Sequence, residues 1–208
     1  MTRPDRSAPP PAMPIGPGLR DPAFFSQPAP VLAEALLGCL LASRIGGTPV
    51  AGRIVEVEAY LREGDAAAHS ARGKTPANAA LFAPPGTLYI HPMRQRCGID
   101  LVALDGSVLL RALEPVCGRE TMAMRRGTTV PRLLASGPAR LSEALGITRA
   151  LDGLAITDPD SPLSLHAGHG AGERPIHKTA RIGLTRAAHL DLRFILAGSP
   201  WLSRRDRA

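Results

Sequence analysis

The chain has 208 residues, enough for one domain that buries a continuous core without disulfide or metal staples, and no second globular domain is expected. Its 25 basic residues stand against 18 acidic ones, a formal net charge of +7, and Lys74 and Lys178 are the only lysines. Arginine grips phosphate bidentately, so an arginine-borne charge points to nucleic acid, although codon composition produces the same bias. So few lysines argue against Schiff-base chemistry. Cys39, Cys97 and Cys117 form an odd set without a CxxC pair, which suits a reducing compartment rather than a disulfide framework. The amino terminus carries acids and no apolar stretch, so neither a secretory signal nor a membrane span is expected; the expectation is a soluble, cytoplasmic protein.

Residues 1–18 are rich in proline and poor in large apolar side chains, and the sequence predicts a disordered tail, with the domain occupying 19–208. A helix is predicted over 29–42, where Val31, Leu32, Ala35, Leu36 and Cys39 recur at helical spacing. Strands follow at 49–60, 86–91, 99–104 and 108–114, then a helix at 118–126. The stretch 136–147 reads as a loop opening a short helix that stops at Gly146, a residue suited to a left-handed cap. Two more strands are predicted at 154–157 and 192–196. His166 and His169 fall in a glycine-rich run that reads as a surface loop, and no metal site is expected. Strands without βαβ spacing predict an α+β fold: a single mixed domain around a curved, mainly antiparallel sheet with flanking helices. There is no internal repeat, P-loop or dinucleotide fingerprint.

Chemistry concentrates in a few segments. In Arg53-Ile-Val-Glu-Val-Glu-Ala-Tyr60, period-two alternation puts Ile54, Glu56, Glu58 and Tyr60 on one strand face. As an ordinary half-buried strand it would have one solvated face. In Gly86-Thr-Leu-Tyr-Ile-His91, Tyr89 and His91 share a face that can stack on a flat ligand, or else serve as packing. Arg111 interrupts the apolar run Val108-Leu-Leu-Arg-Ala-Leu-Glu-Pro115; a charge buried there requires a partner, with Glu58 the obvious candidate, and a purely structural ion pair stays open. The loop Ser136-Gly-Pro138 offers backbone amides at a helix start to an anion.

Taken together and in order, Arg53–Tyr60, Ala67-Ala-His-Ser70, Thr75-Pro76 with Asn78, Pro85-Gly-Thr-Leu-Tyr89, Leu109-Leu-Arg-Ala-Leu-Glu-Pro115, Ser136-Gly-Pro138 and Gly198-Ser-Pro-Trp201 resemble the alkyladenine (3-methyladenine) DNA glycosylase family, the methylpurine glycosylases of base-excision repair. The resemblance runs from about residue 22 onward. It implies a mixed domain whose positive face holds double-stranded DNA, flips out a damaged purine and excises it, with no metal, cofactor or membrane, as a monomer. By the same resemblance Glu58 activates the attacking water, Arg111 holds that water and keeps Glu58 ionised, and Tyr60 and His69 sandwich or hydrogen-bond the flipped base. His91 falls where the family has a second stacking tyrosine. Damaged purines are often cationic, which stacking favours. No lysine matches a nucleophile position, implying base release without strand cleavage. Arg72, Lys74 and Thr75, after His69, are candidates for phosphate contacts or an ordinary solvated loop.

The chain departs from the family pattern in two places. The run Ile90-His-Pro-Met-Arg-Gln-Arg-Cys-Gly98 is about one residue shorter and lacks the aromatics that lead to a tyrosine wedge; Met93 and Arg94 are both candidates to fill the gap left by a flipped base. Asp100 lies near the family asparagine that selects against guanine's amino group, which predicts altered tolerance for guanine lesions. A protein that keeps the fold and binds damaged DNA without turnover is the alternative reading. A small-molecule hydrolase is disfavoured by the charge and by the absence of a nucleophile elbow.

Overall fold

The computed structural model describes residues 17–93, 95–168 and 174–205; most of the predicted tail lies outside them. The described chain opens with α1 (Pro22–Phe25) and α2 (Ala29–Leu36), continues through β1 (Leu40–Ser43) and β2 (Val50–Leu61), and crosses 3-10 turns at His69–Arg72 and Pro76–Phe82. It then forms β3 (Leu88–Met93), β4 (Arg96–Val102), β5 (Gly106–Cys117), α3 (Arg119–Arg126), α4 (Pro138–Leu145), β6 (Leu163–His166), β7 (Ile176–Thr179) and β8 (Arg193–Leu196). Every strand pair is antiparallel. The sheet runs β3-β4-β5-β2-β1-β6, with β8 joining β2 to β7, and it curls with helices flanking it, as the α+β expectation has it.

Strand β2 is the organising element. Along one edge it pairs with β5; along the other, β1 covers residues 50–53 and β8 takes over at 56–58. Both of its faces are consequently buried from Ile54 to Ala59, unlike the half-solvated strand that alternation alone suggests. The β2–β5 register passes from Ile54↔Leu113 to Glu56↔Ala112 and then to Val57↔Leu110. Val55 on β2 and Arg111 on β5 are each skipped. Such irregularities bend a strand and re-aim a side chain.

The apolar core lies between this sheet and the helices, with Phe25, Leu32 and Leu36 from the first helices, Ile54, Leu110 and Leu113 from the sheet, and Leu141 and Leu145 from α4, all fully buried. Gly146, at φ 73°, closes α4 as its sequence position predicts. The helix predicted over 29–42 ends at Leu36: Gly38 takes φ 86°, and residues 40–43 are drawn into the sheet between β2 and β6, where β pairing and burial override helical periodicity. The strand predicted at 154–157 does not form. Its backbone bonds to residues 86–88, with Leu88 N to Leu154 O at 2.8 Å and Ile156 N to Gly86 O at 2.9 Å, but the turns at Arg149–Leu151 and Asp158-Pro-Asp160 limit the pairing to one isolated bridge, Ala155 to Thr87. His166, predicted in a loop, ends β6 and shares a 2.8 Å hydrogen bond with Ser164 Oγ; His169 lies outside the described residues. Gly18 bridges to His166, so the described chain joins the sheet just inside the predicted tail boundary.

Candidate active site

The skipped Arg111 places its guanidinium between the two glutamates of β2. Its Nε donates to Glu56 Oε1 at 2.9 Å and its Nη1 to Glu58 Oε2 at 3.0 Å; both carboxylates have no exposed surface. Glu56 also receives Arg193 Nε at 2.9 Å, the Ser203 amide at 2.6 Å and the Ser203 hydroxyl at 2.7 Å. Burial on its own raises the Glu56 pKa, yet Arg111, Arg193 and Ser203 outweigh it and hold the carboxyl below its ordinary range. Arg111 is likewise opposed by burial, but Glu58 and Glu56 drive its pKa up. The two acids differ in their company. Glu56 is spent on arginines and a serine, while Glu58 also accepts the Tyr60 hydroxyl at 3.0 Å and the Ile182 amide at 2.7 Å. Burial, followed by the Glu58 anion, pushes the Tyr60 phenol far above its usual value, so it acts as a donor.

Tyr60 is held from behind by Arg181, whose guanidinium lies 4.4 Å from the ring centroid and is fixed by Asp65 at 2.5 and 2.8 Å and by the Ala59 carbonyl at 3.0 Å. In front of Tyr60 is a cavity of about 90 Å³, lined also by His69, Tyr89, His91, Asp100 and Ser107. His69, Tyr89 and His91 meet edge to face, with centroids 4.8 to 5.9 Å apart, and His69 Nδ1 lies 3.1 Å from the Tyr89 hydroxyl. Asn78 positions the His69 loop by donating to the His69 and Gly73 carbonyls at 2.9 and 3.0 Å. His91 lies flat over Gly98, where an added Cβ would fall 2.3 Å from the imidazole. The cavity opens toward a groove of about 1510 Å³ lined by Arg62, Arg72, Arg149 and Arg186; the last three are exposed, as phosphate contacts require.

The structure thus brings Glu58, Arg111, Tyr60, His69, His91 and Asp100 together at one place. Among the loop candidates, Arg72 and Thr75 line the groove and Lys74 does not. The Thr75 amide and hydroxyl already bind Asn78 Oδ1 at 2.6 and 3.0 Å. Met93 ends β3, paired with Arg96 and away from the groove lining; Arg94 lies outside the described residues.

The profile of the family described as methylpurine-DNA glycosylase matches residues 23–200, which covers every site residue named above except Ser203. The chain belongs to this family. A protein of Methanoculleus marisnigri, provisionally named a 3-methyladenine DNA glycosylase, is 46% identical over 191 residues, spanning 88% of this chain and 97% of that one. The DNA-3-methyladenine glycosylase of Homo sapiens is 40% identical over 201 residues, 88% of this chain and 67% of the human one.

Within this member of the methylpurine-DNA glycosylase family, sequence reading left several supporting residues unassigned: Glu56 as the second anchor of Arg111, Arg193, Ser203, Arg181 and the Ile182 amide. Arg193 did carry a signal, since it opens the apolar strand of β8 much as Arg111 interrupts β5. Arg181 is one arginine among many, and a backbone amide leaves no trace in sequence.

Glu56→Gln is expected to leave Arg111 and Arg193 under-compensated in a buried setting and to cost roughly 3–5 kcal/mol, read as a lowered urea midpoint. A loss within about 0.5 kcal/mol would show that Glu56 does not neutralise them.

Asp100 and His91 make opposite demands on pH. Burial, partly relieved by Ser107, holds the Asp100 carboxyl up at about 7; burial, then His69 and Arg149, push His91 down to about 4. Folding therefore loses stability on account of Asp100 as pH rises from its unfolded value through 7, and on account of His91 as pH falls from 6.5 through 4. Asp100→Asn removes the first slope only. The variant should gain on the wild type, in unfolding free energy from urea melts, between pH 4 and pH 8, by roughly 4 kcal/mol; a constant offset across that range would show that Asp100 titrates like an exposed acid.

Proposed function

We propose that this chain is a monofunctional DNA glycosylase that removes alkylated purines such as 3-methyladenine and 7-methylguanine, with hypoxanthine as a deaminated candidate, from double-stranded DNA. The observation that carries this reading is the Glu58 carboxylate, clamped by Arg111, Ile182 and Tyr60, the last of which lines a ring-walled cavity that opens into an arginine groove. DNA lies along the groove, and the damaged nucleotide leaves the stack so that its base enters between Tyr60, His69 and His91. An ionised carboxylate has about four lone-pair directions. Three are taken, and the fourth serves the attacking water.

In the proposed step the water oxygen bonds to C1′, its proton passes to Glu58, and the C1′–N bond electrons return to the base. An alkylated purine carries its positive charge before the bond breaks, so it departs neutral without a proton donor. Arg111 gives Glu58 a counter-charge at 3.0 Å inside the sheet. Neither lysine lines the cavity, and Lys178 is engaged with Glu34 at 2.7 Å; water is accordingly the nucleophile, and the product is a free base and an intact strand with an abasic site. A reading as a damage-binding protein without turnover draws support from one observation: Glu58 has no exposed surface in the free protein.

Base release from methylated duplex DNA in EDTA separates the two. The wild type should release methylpurines, and Glu58→Gln, which keeps the shape and loses the base, should bind the same DNA with release at least a hundredfold slower. DNA bound without release by both proteins would establish the binding reading instead. Affinity for the duplex should fall steeply with salt, roughly tenfold or more between 50 and 200 mM, if the groove arginines meet phosphates; a flat response would remove the groove from the account.

A further inference from the structure

The Gly198-Ser-Pro-Trp201 turn delivers Ser203 to the buried arginine of β5, 92 positions earlier in the chain. The segment that carries it is fastened on both sides: Arg132 Nε donates to the Pro200 carbonyl at 3.1 Å, Leu202 is buried, and Arg193 Nη2 donates to the Arg204 carbonyl at 3.1 Å. Ser203 then makes two kinds of contact. Its amide donates to Glu56 Oε2 at 2.6 Å and its hydroxyl to Glu56 Oε1 at 2.7 Å, while the same hydroxyl oxygen accepts Arg111 Nη2 at 3.3 Å.

A guanidinium can grip a carboxylate bidentately along either of two edges, Nε with Nη2 or Nη1 with Nη2. Arg111 gives neither edge to a single carboxylate. On the first, Nε takes Glu56 Oε1 and Nη2 takes the Ser203 hydroxyl, so a serine stands where a second carboxylate oxygen would. Glu56 does not fill that place, because its Oε2 is held by the Ser203 amide. On the second edge only Nη1 reaches Glu58, at Oε2, which also accepts the Tyr60 hydroxyl. Glu58 Oε1 accepts the Ile182 amide alone among the described residues, and the remaining lone pair of the carboxylate is therefore on Oε1. Arg111 Nη2 is the donor that competes for it: turned away from Ser203, the guanidinium would close on both oxygens of Glu58. Resting on the glycosylase reading, we propose that Ser203 is a positioning residue whose hydroxyl occupies Arg111 Nη2 and so keeps Glu58 Oε1 open to the attacking water. Ser203 lines neither the cavity nor the groove and acts through Arg111.

Single-turnover base release from methylated duplex DNA, with the full chain in saturating excess, tests this alongside affinity for the same DNA. Ser203→Ala removes the hydroxyl and keeps the amide bond to Glu56. Release should slow roughly tenfold or more while affinity stays within about twofold of the wild type. Ser203→Thr, which restores a hydroxyl, should release within about threefold of the wild type. A serine that serves the fold alone would lower the urea midpoint of the alanine variant and leave its release rate unchanged. That result would overturn the proposal, as would a threonine variant no faster than alanine, a slowing matched by an equal loss of affinity, or an alanine variant that does not fold. The glycosylase reading fails by a different outcome. A wild type that binds methylated DNA and releases no base sinks that reading and the role of Ser203 with it, whereas release by the wild type at a rate that Ser203→Ala leaves untouched sinks the positioning role alone.

Discussion

A single buried cation, the Arg111 guanidinium, holds the site together. It lies in a sheet interior where an unpaired charge is untenable, and the answer is two carboxylates from the facing strand rather than one. The geometry depends on the register: Val55 and Arg111 are skipped on opposite strands, so the β2–β5 ladder regains its alignment on either side while the arginine is aimed between Glu56 and Glu58. The doubled pairing divides labour. Glu56, bound also by Arg193 and Ser203, neutralises the interior and ties the carboxy-terminal segment to the sheet. Glu58 is thereby released from being the sole counter-charge and keeps a lone-pair direction free of protein donors, as the proposed water activation requires.

The cavity is supported with comparable economy of parts. Its rings come from β2, β3 and the turn at His69–Arg72, and two of them are fixed by a neighbour outside the cavity lining: Tyr60 by Arg181, the His69 loop by Asn78. Arg181 spans the Ala59 carbonyl, Asp65 and the Tyr60 face, and the next residue's amide binds Glu58. Loop position, ring orientation and carboxylate orientation are therefore one mechanical unit, which suits the proposed role of holding a flat base and a water in fixed relation.

Much of this was legible in the sequence because it is written in local pattern. Alternation placed Glu56, Glu58 and Tyr60 on one face, and an arginine inside an apolar strand announced a buried partner. The family resemblance supplied His69 and the order of segments. What was not legible depends on distance in the chain. The register skip that aims Arg111 arises from pairing across some fifty positions, β1 looked helical until tertiary pairing claimed it, and β6 and β7 are too short to show a period. The segment at 154–157 has the right composition and does bond to residues 86–88, but over a single bridge between two turns, too short for a strand.

Gly98 bears on how this pocket can change over generations. The His91 ring occupies the space in which any side chain at 98 would begin, so the two positions form one steric unit across the β3–β4 ladder. A lineage cannot enlarge residue 98 first and then revise residue 91, because the intermediate would carry an overlap. The order of substitutions is constrained: the ring must be replaced or turned before its floor is filled. Ring placement and backbone packing are thus inherited together here, and a pocket of this kind changes by paired steps rather than by single ones.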